Sequence, residues 1–271
     1  MIRLSDFHAH TNFCDGKSTP REMVESAVKK GLCAFGLSSH APMTLESNWS
    51  MKADRMSEYL NELNSLKEEF KGRIELFAGF EADTYGIPLP ECDYIIGSCH
   101  HIKGKYGFYD VDHTAKKQLE CAEREFSGDM YAYSAAYYEQ FCENFAKMNA
   151  DIVGHFDLVT KFNENNALFD ESDKRYRKAS LEALHTLAKY GKPFEINTGA
   201  ISRGYRLSPY PAEFILKELK AIGGTVIINS DSHSAENVCA YFDDAVQFAV
   251  SCGFETAQRL TKNGFSEYSL K

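Results

Sequence analysis

The fold of this chain is decided by the stretch Asp6-Phe7-His8-Ala9-His10-Thr11-Asn12-Phe13-Cys14-Asp15-Gly16, which overlaps and follows a predicted first strand at residues 2–7. Side chains two positions apart on an extended chain point the same way, so His8 and His10 can converge beyond the strand end. Imidazole nitrogens and a nearby carboxylate such as Asp15 are common metal ligands. Taken alone, two unrelated polar residues at a strand end would be the commoner interpretation, so the rest of the chain has to decide.

Six further segments with strand character alternate with helical patterns, at residues 33–37, 74–80, 93–97, 151–154, 192–197 and 225–229. This alternation predicts βα units around a parallel sheet. Seven strands favour a closed barrel over an open doubly wound sheet, although spacing alone leaves both open. An aromatic-rich helical insert is expected at about 102–150, and two further helices at about 235–251 and 255–262. Neither G-x-G-x-x-G nor a P-loop follows the first strand, which disfavours nucleotide-binding folds.

Polar residues that can bind metal follow almost every predicted strand. In a β/α barrel the carboxyl ends of all strands meet at one face, which carries the active site. The expected metal ligands at that face are His8, His10, Asp15, His40, Glu81, His100, His155, Asp231 and His233. Each alone would more often be structural, but of nine histidines only His113 and His185 lie away from strand ends. Nine nitrogen and oxygen donors suit two or three divalent ions, with Zn, Mn and Fe all admissible.

Composition restricts the class of protein further. The chain has 271 residues, 44% of them hydrophobic, and a net charge of −9, so we expect no nucleic-acid partner. No apolar run reaches the length of a membrane span, and the N-terminus becomes polar too soon for a signal peptide. Eight cysteines without a C-x-x-C pair predict reduced thiols and a cytoplasmic protein. The oligomeric state stays open.

Six motifs in a fixed order resemble the PHP (polymerase and histidinol phosphatase) family, and most closely its histidinol-phosphate phosphatase branch. The resemblance covers essentially the whole chain, as a single domain at residues 1–271. The motifs are Asp6-Phe7-His8-Ala9-His10 with Cys14-Asp15-Gly16, Ser39-His40-Ala41-Pro42, Gly79-Phe80-Glu81-Ala82-Asp83, Gly97-Ser98-Cys99-His100, Gly154-His155-Phe156-Asp157-Leu158 and Asn229-Ser230-Asp231-Ser232-His233.

The resemblance implies a distorted seven-stranded, TIM-like β/α barrel with three divalent ions. One ion would be held by His8, His10, Glu81 and Asp231, the second by Glu81, His100 and His155, and the third by Asp15, His40 and His233. The implied reaction is hydrolysis of L-histidinol phosphate, a step of histidine biosynthesis, by attack of a metal-bridging hydroxide. Glu81 would bridge two ions, and Asp231 or His233 would help move a proton to the leaving oxygen.

A phosphate substrate also calls for a cationic side chain, and Arg203 and Lys161 are the candidates. Ser39, His101 and Asp83 are further candidate substrate contacts, with Asp83 facing a cationic group of the substrate. The loop Asn197-Thr198-Gly199-Ala200-Ile201-Ser202-Arg203 departs from the family's usual pattern, and His101 stands where an aromatic residue is common. Two other functions remain open: a PHP-type nuclease or generic phosphoesterase, which would need a basic groove, and a metal-binding protein without catalysis.

Overall fold

A nine-stranded sheet organises the computed structural model, which describes residues 4–271. Hydrogen-bonded neighbours follow the order β1 (Ser5–Asp6), β2 (Ala34–Leu37), β3 (Glu75–Asp83), β4 (Tyr94–Ser98), β7 (Ile152–Val153), β8 (Phe194–Asn197), β9 (Val226–Asn229), β10 (Thr256–Thr261) and β11 (Gly264–Ser269). All pairs from β1 to β10 are parallel, and β10 and β11 are antiparallel. A separate hairpin is formed by β5 (His101–Lys103) and β6 (Phe108–Asp110). The predicted α/β class with a mostly parallel sheet is therefore correct.

Eight α-helices connect these strands within the described residues: α1 (Pro20–Lys29), α2 (Met56–Glu69), α3 (Ala115–Phe126), α4 (Met130–Met148), α5 (Lys174–Ala188), α6 (Gly199–Ser202), α7 (Glu213–Ala221) and α8 (Phe242–Ser251). The start of α1 is a capping box, in which the Thr19 side chain accepts from the Glu22 N–H and the Glu22 carboxylate accepts from the Thr19 N–H. Short 3₁₀ turns lie at Ala53–Arg55, Leu158–Thr160, Glu164–Asn166 and Ala235–Asn237.

The predicted strands are all present, but the count of seven is wrong because the tail adds two more. The helix expected at 255–262 is instead β10, which pairs with β9 and turns into β11. The helix expected at 235–251 begins only at Phe242. The insert at about 102–150 holds most of the β5–β6 hairpin as well as α3 and α4. Residues 2 and 3 of the predicted first strand lie outside the described residues.

Strand pairing does not close the sheet into a barrel. One isolated parallel backbone bridge connects β1 and β9: it pairs Ala9, just after β1, with Ser232, just after β9. The His10 N–H donates to the Ser232 carbonyl at 2.8 Å, and the Ser232 N–H donates to the His8 carbonyl at 3.2 Å. Beneath this seam the buried carboxylate of Asp6 accepts from the N–H and the hydroxyl of Ser230. The seam brings the first histidines next to the segment that follows β9.

Buried aromatic residues of the insert belong to the core. Tyr133, Tyr137, Phe141 and Phe145 on α4 are at most 2% exposed and pack in the cluster that includes α5 and α7. They are core packing, the alternative to a lid over a substrate ring. None of the eight cysteines, all within residues 4–271, forms a disulfide. Among the same residues, no helix is long and apolar enough to span a membrane.

Candidate metal centre

Glu81 lies at the centre of the candidate site. It occupies the carboxyl-terminal part of β3, is 2% exposed, and a backbone bridge aligns it with His40 beyond β2. Its two oxygens face five histidine nitrogens. Oε2 lies 2.7 Å from His40 Nδ1, 3.3 Å from His8 Nε2 and 3.5 Å from His10 Nε2. Oε1 lies 2.8 Å from His155 Nε2 and 3.4 Å from His100 Nε2. One carboxylate on β3 thus faces histidines from four other strand ends.

Asp231 brings the loop after β9 to the same place. Its Oδ1 lies 3.2 Å from His10 Nε2 and 3.8 Å from His8 Nε2. The backbone of Asp231 has a φ of 48°, a left-handed conformation that is uncommon outside glycine. The ion pair that Oδ2 makes with Arg203, at 2.9 Å, accompanies this local strain and fixes the carboxylate.

A third group lies towards the mouth of the site. Asp15, whose side chain is 33% exposed, has one oxygen 3.7 Å from His40 Nε2 and the other 3.4 Å from His233 Nε2. The ring of His10 stacks on that of His233 at 4.0 Å between centroids. The structure therefore brings together all nine residues that were predicted as metal ligands.

The donor set fits divalent cations. Nε2 of His8, Nε2 of His10 and Oε2 of Glu81 are buried, and among the described residues none has a hydrogen-bond partner of acceptable geometry. Such orphaned groups are costly unless something else binds them. Four groups have one ligand atom per residue within 4.8 Å of one another: His10–Asp15–His40–His233, His8–His155–Asp231, His8–His10–Glu81 and His40–Glu81–His100. The groups share His8, His10, His40 and Glu81, so they are adjoining parts of one cluster.

Electrostatics keep the carboxylates ionised despite burial. Burial alone would raise the pKa of Glu81, but the charges of His8 and His40 outweigh it and hold that pKa well below its usual value. Burial would also raise the pKa of Asp231, but the surrounding positive charges, chiefly that of Arg203, outweigh it and hold that pKa well below its ordinary value. Burial and the neighbouring His233 and His40 lower the pKa of His10 well below that of free histidine. Anionic carboxylates and a neutral imidazole are the forms that bind metal.

Two buried carboxylates contact the Nδ1 atoms of histidines in the cluster. Glu195 on β8 has an oxygen 2.6 Å from His8 Nδ1, and Asp83 at the end of β3 has one 3.1 Å from His100 Nδ1. Asp83, expected to face substrate, also accepts from the His100, Tyr85 and Thr84 donors and is 4% exposed. Glu195 was missed by sequence reasoning, although a charged residue in the buried run Phe194-Glu195-Ile196-Asn197 was an available signal.

A cavity of about 240 Å³ opens onto this cluster. Its walls hold six of the predicted ligands, the two predicted phosphate-binding cations Arg203 and Lys161, and residues that sequence reasoning did not select. The latter are Trp49, Asp110, Asp112, His113, Leu158 and Tyr205. Lys161 donates to the Asp112 carbonyl at 2.8 Å and to its carboxylate at 3.1 Å. The cavity therefore carries cations and acids on neighbouring walls.

The remaining three predicted substrate contacts, Ser39, His101 and Asp83, do not line this cavity. Ser39 is fully buried, and its hydroxyl lies 2.9 Å from that of Thr11 and accepts from the Thr11 N–H. The His101 ring stacks on the Trp49 ring with 5.7 Å between centroids, and its Nε2 lies 3.0 Å from Asp110. Burial opposes a charge on His101, but contacts led by the hydrogen bond to Asp110 outweigh it and raise the pKa of His101 to about 9. His101 therefore contacts two residues of the cavity wall, Trp49 and Asp110, and Ser39 contacts Thr11, next to His10.

Comparison with known proteins places this geometry in a family. The chain is 30% identical to a probable histidinol-phosphatase of Deinococcus radiodurans over 91% of this chain and 93% of the relative. It is 26% identical to a histidinol-phosphatase of Bacillus subtilis, over 88% and 96% of the two chains. The fold matches, with a TM-score of 0.73 and 24% identity, that of a Lactococcus lactis histidinol phosphate phosphatase solved with Zn, L-histidinol and phosphate, covering 98% of this chain and all of the other. The PHP domain model matches residues 6–199, and the chain belongs to the PHP domain family.

Proposed function

We propose that this chain is a metal-dependent phosphomonoesterase that hydrolyses L-histidinol phosphate to L-histidinol and phosphate, as part of histidine biosynthesis. The observation that carries the proposal is a single cavity with a cluster of nitrogen and oxygen ligands at its base and both cations and acids on its walls. The relatives that share most of the chain's length are named histidinol-phosphatases, which supports the same substrate.

The proposed fold is one domain at residues 1–271. It is a distorted barrel of seven strands, β1, β2, β3, β4, β7, β8 and β9, with the insert at about 102–150 outside it. The backbone bridge between Ala9 and Ser232 supports closure at the seam between the first and last of these strands. In such a barrel the ligands share the face formed by the carboxyl ends of the strands, as they do around Glu81.

Three divalent ions (Zn, Mn or Fe) fit the donors best in the proposed site. Residues His8, His10, Glu81 and Asp231 would hold the first, Glu81, His100 and His155 the second, and Asp15, His40 and His233 the third. The donors are imidazoles and carboxylates without a thiolate, a set that these metals accept. Bound there, the ions would lower the pKa of water towards neutrality and offset the charge of a phosphate dianion.

The remaining work in the proposed reaction falls to side chains of the cavity. In-line displacement at phosphorus depends on positioning and charge neutralisation more than on covalent help. Arg203, at the cavity wall beside Asp231, and Lys161, 8% exposed, would bind phosphoryl oxygens. Asp231 or His233 would help move a proton to the leaving oxygen, and the ionised Asp231 would first have to accept that proton from water. Both lie at the cavity surface with their side chains 3.6 Å apart.

The opposite charges on the cavity wall suit a substrate that is both anionic and cationic. Asp110 and Asp112 would face the ammonium or imidazole of L-histidinol phosphate, the role first expected of Asp83. The Lys161–Asp112 pair already shows the two charges side by side at 3.1 Å. A phosphate ester without a cationic group, such as glycerol phosphate, would leave these acids without a substrate partner.

The experiment that tests the proposal is phosphate release from L-histidinol phosphate, compared with glycerol phosphate and a short oligonucleotide. Each assay is run on the native protein, after chelation and after restoration of Zn, Mn or Fe. We expect turnover of L-histidinol phosphate to dominate and to follow the metal. Turnover of the oligonucleotide alone, or metal binding without turnover, would overturn the proposed function and leave the family assignment intact.

A PHP-type nuclease or generic phosphoesterase is the other enzyme that the ligand cluster could serve. A nuclease needs a basic surface along the nucleic-acid backbone, whereas this chain carries a net charge of −9 and its cavity holds Asp15, Asp110, Asp112 and Asp231. Histidinol-phosphatases match nearly the whole chain, so this alternative is not favoured.

A further inference from the structure

Glu195 is a buried carboxylate in the middle of the sheet that touches neither the cavity nor water. It lies on β8 and is 0% exposed. Transfer of an ionised carboxylate into the protein interior is strongly unfavourable unless hydrogen bonds and opposite charges compensate it. A carboxylate retained at such a position therefore has specific partners, and its partners indicate what it does.

Four donors satisfy this carboxylate, and they come from three strands or strand ends besides its own. Oε1 lies 2.6 Å from His8 Nδ1 and accepts from the Asn229 side-chain amide at 2.9 Å. Oε2 accepts from the His155 N–H at 2.8 Å and from the Asn197 side-chain amide at 2.9 Å. The side-chain Oδ1 of Asn229 in turn accepts from the Phe7 N–H at 2.8 Å. Glu195 thus joins the segments that carry His8, His155 and Asp231.

The contact with His8 also determines which ring nitrogen can bind metal. A neutral imidazole that donates its Nδ1 hydrogen to Glu195 has its lone pair on Nε2. That Nε2 is the atom facing Glu81 at 3.3 Å and Asp231 at 3.8 Å, and it has no hydrogen-bond partner among the described residues. Carboxylate–histidine pairs of this kind fix the tautomer and ring orientation of metal ligands and raise their basicity.

We propose that Glu195 is a positioning residue of the metal centre: it holds His8 in the Nδ1-protonated form and fixes the His155 backbone, so that both rings present Nε2 beside Glu81. Asn197 and Asn229 donate their amide hydrogens to the carboxylate and fix its position. The inference rests on the proposed metal site and not on the proposed substrate.

The decisive variant is Glu195→Gln, which keeps the size of the side chain but puts an amide donor against existing donors. Whichever way the amide turns, its NH₂ meets either the His8 and Asn229 donors or the His155 and Asn197 donors. Asp157→Asn is the matched control, because Asp157 is equally buried and accepts the Ala212 N–H but makes no hydrogen bond to a ligand imidazole. Metal affinity is measured by competition with a chelator, and the histidine rings by ¹H–¹⁵N NMR of the Zn-loaded protein.

We expect Glu195→Gln to lower the affinity for at least one ion by about 10- to 100-fold and to move the His8 Nδ1–H signal, while Asp157→Asn changes neither. Unchanged affinity and an unchanged His8 signal in Glu195→Gln would overturn the proposal, as would an equal loss of affinity in Asp157→Asn.

If Glu195→Gln does not fold, the native protein decides. In the Zn-loaded native protein the His8 ring, assigned through its backbone resonances, carries a single hydrogen, on Nδ1, if the proposal is right, and a hydrogen on Nε2 would overturn it. Metal binding without hydrolysis of L-histidinol phosphate would overturn the proposed function and leave this inference standing.

Discussion

Arg203 and Asp231 form a two-point contact at the base of the cavity. Nη2 of Arg203 donates to the Oδ2 carboxylate oxygen of Asp231, and Nη1 donates to its main-chain carbonyl, both at 2.9 Å. The other oxygen of Asp231 faces the ligand histidines. A methyl group on Gly199 would lie 2.7 Å from both Nη2 and Oδ2, so the backbone approaches the pair as closely as glycine allows. The guanidinium can therefore orient a metal ligand and still border the cavity.

Arg203→Lys keeps the positive charge but removes the fork that reaches both Asp231 and a phosphate. Loss of one hydrogen bond to a charged group costs about 1.5–3 kcal/mol, so we expect kcat/KM to fall by about 10- to 150-fold. Inhibition by inorganic phosphate should weaken in parallel. Arg206→Lys is the matched control, because Arg206 pairs with Glu164 and Glu171 and does not line the cavity. Full activity of Arg203→Lys would contradict a role in binding phosphate.

Asp112→Asn tests whether the acidic residues of the cavity wall bind the cationic part of the substrate. The variant removes a negative charge beside Lys161 but leaves the Asp112 carbonyl that Lys161 also contacts. We expect KM for L-histidinol phosphate to rise by about tenfold, since a hydrogen bond to a charged group is lost. Glycerol phosphate, which has no cation, is the internal control and should be affected much less. Equal effects on both substrates would instead mean that Asp112 acts through the phosphate.

Asp157 makes the stability of the fold depend on pH. Burial raises its pKa from 3.8 to about 7, and its Oδ1 has no hydrogen-bond partner among the described residues. A carboxyl group whose pKa is higher in the folded protein stabilises the fold fully below its unfolded pKa, and this contribution disappears as the pH rises through about 7. The unfolding free energy of the native protein minus that of Asp157→Asn should fall by up to about 1.4 kcal/mol per pH unit between pH 4 and 7.

Chemical denaturation at a series of pH values measures this difference. The subtraction removes every pH dependence that the two proteins share, and Asn keeps an acceptor for the Ala212 N–H. A difference that stays constant from pH 4 to 8 would mean that Asp157 is ionised in the folded protein throughout.

Chelation should lower stability as well as activity. Without ions, the buried groups around Glu81 lose the partners that fit them best, and a ligand that binds only the folded state stabilises it by mass action. Metal present at 100 times its dissociation constant contributes about 2.7 kcal/mol, so we expect a clear drop in melting temperature that metal restores. An unchanged melting temperature would show that the ligand cluster is stable without ions.

The convergence of the nine expected metal ligands could be predicted because parallel strands align their carboxyl ends, so sequence position fixes spatial position. His8, Glu81 and His155 converge for this reason alone. The insert and loop residues could not be placed: His113 and Trp49 reach the cavity through loop paths that no local pattern encodes. Glu195 was missed because its role depends on contacts to other strands.

The error in the tail has a local cause. Ala257 and Leu260 are spaced like one face of a helix, and both are buried. They lie in a strand because the chain turns back at Lys262 and Asn263 into β11, with Thr261 paired to Gly264. Asn263-Gly264 was a hairpin signal that competed with the helical spacing and deserved more weight.

The seam between Ala9 and Ser232 has a consequence for how the molecule is held together. Backbone hydrogen bonds cross it at one bridge, whereas ligands on both sides, His8 and His10 against Asp231 and His233, would share ions. A bound ion there would tie the segment after β1 to the segment after β9, so unfolding would have to break metal–ligand bonds as well as the backbone bridge. The segments after β1 and β9 would thus be held together by metal as well as by backbone, and metal supply would affect the stability of the protein as well as its turnover.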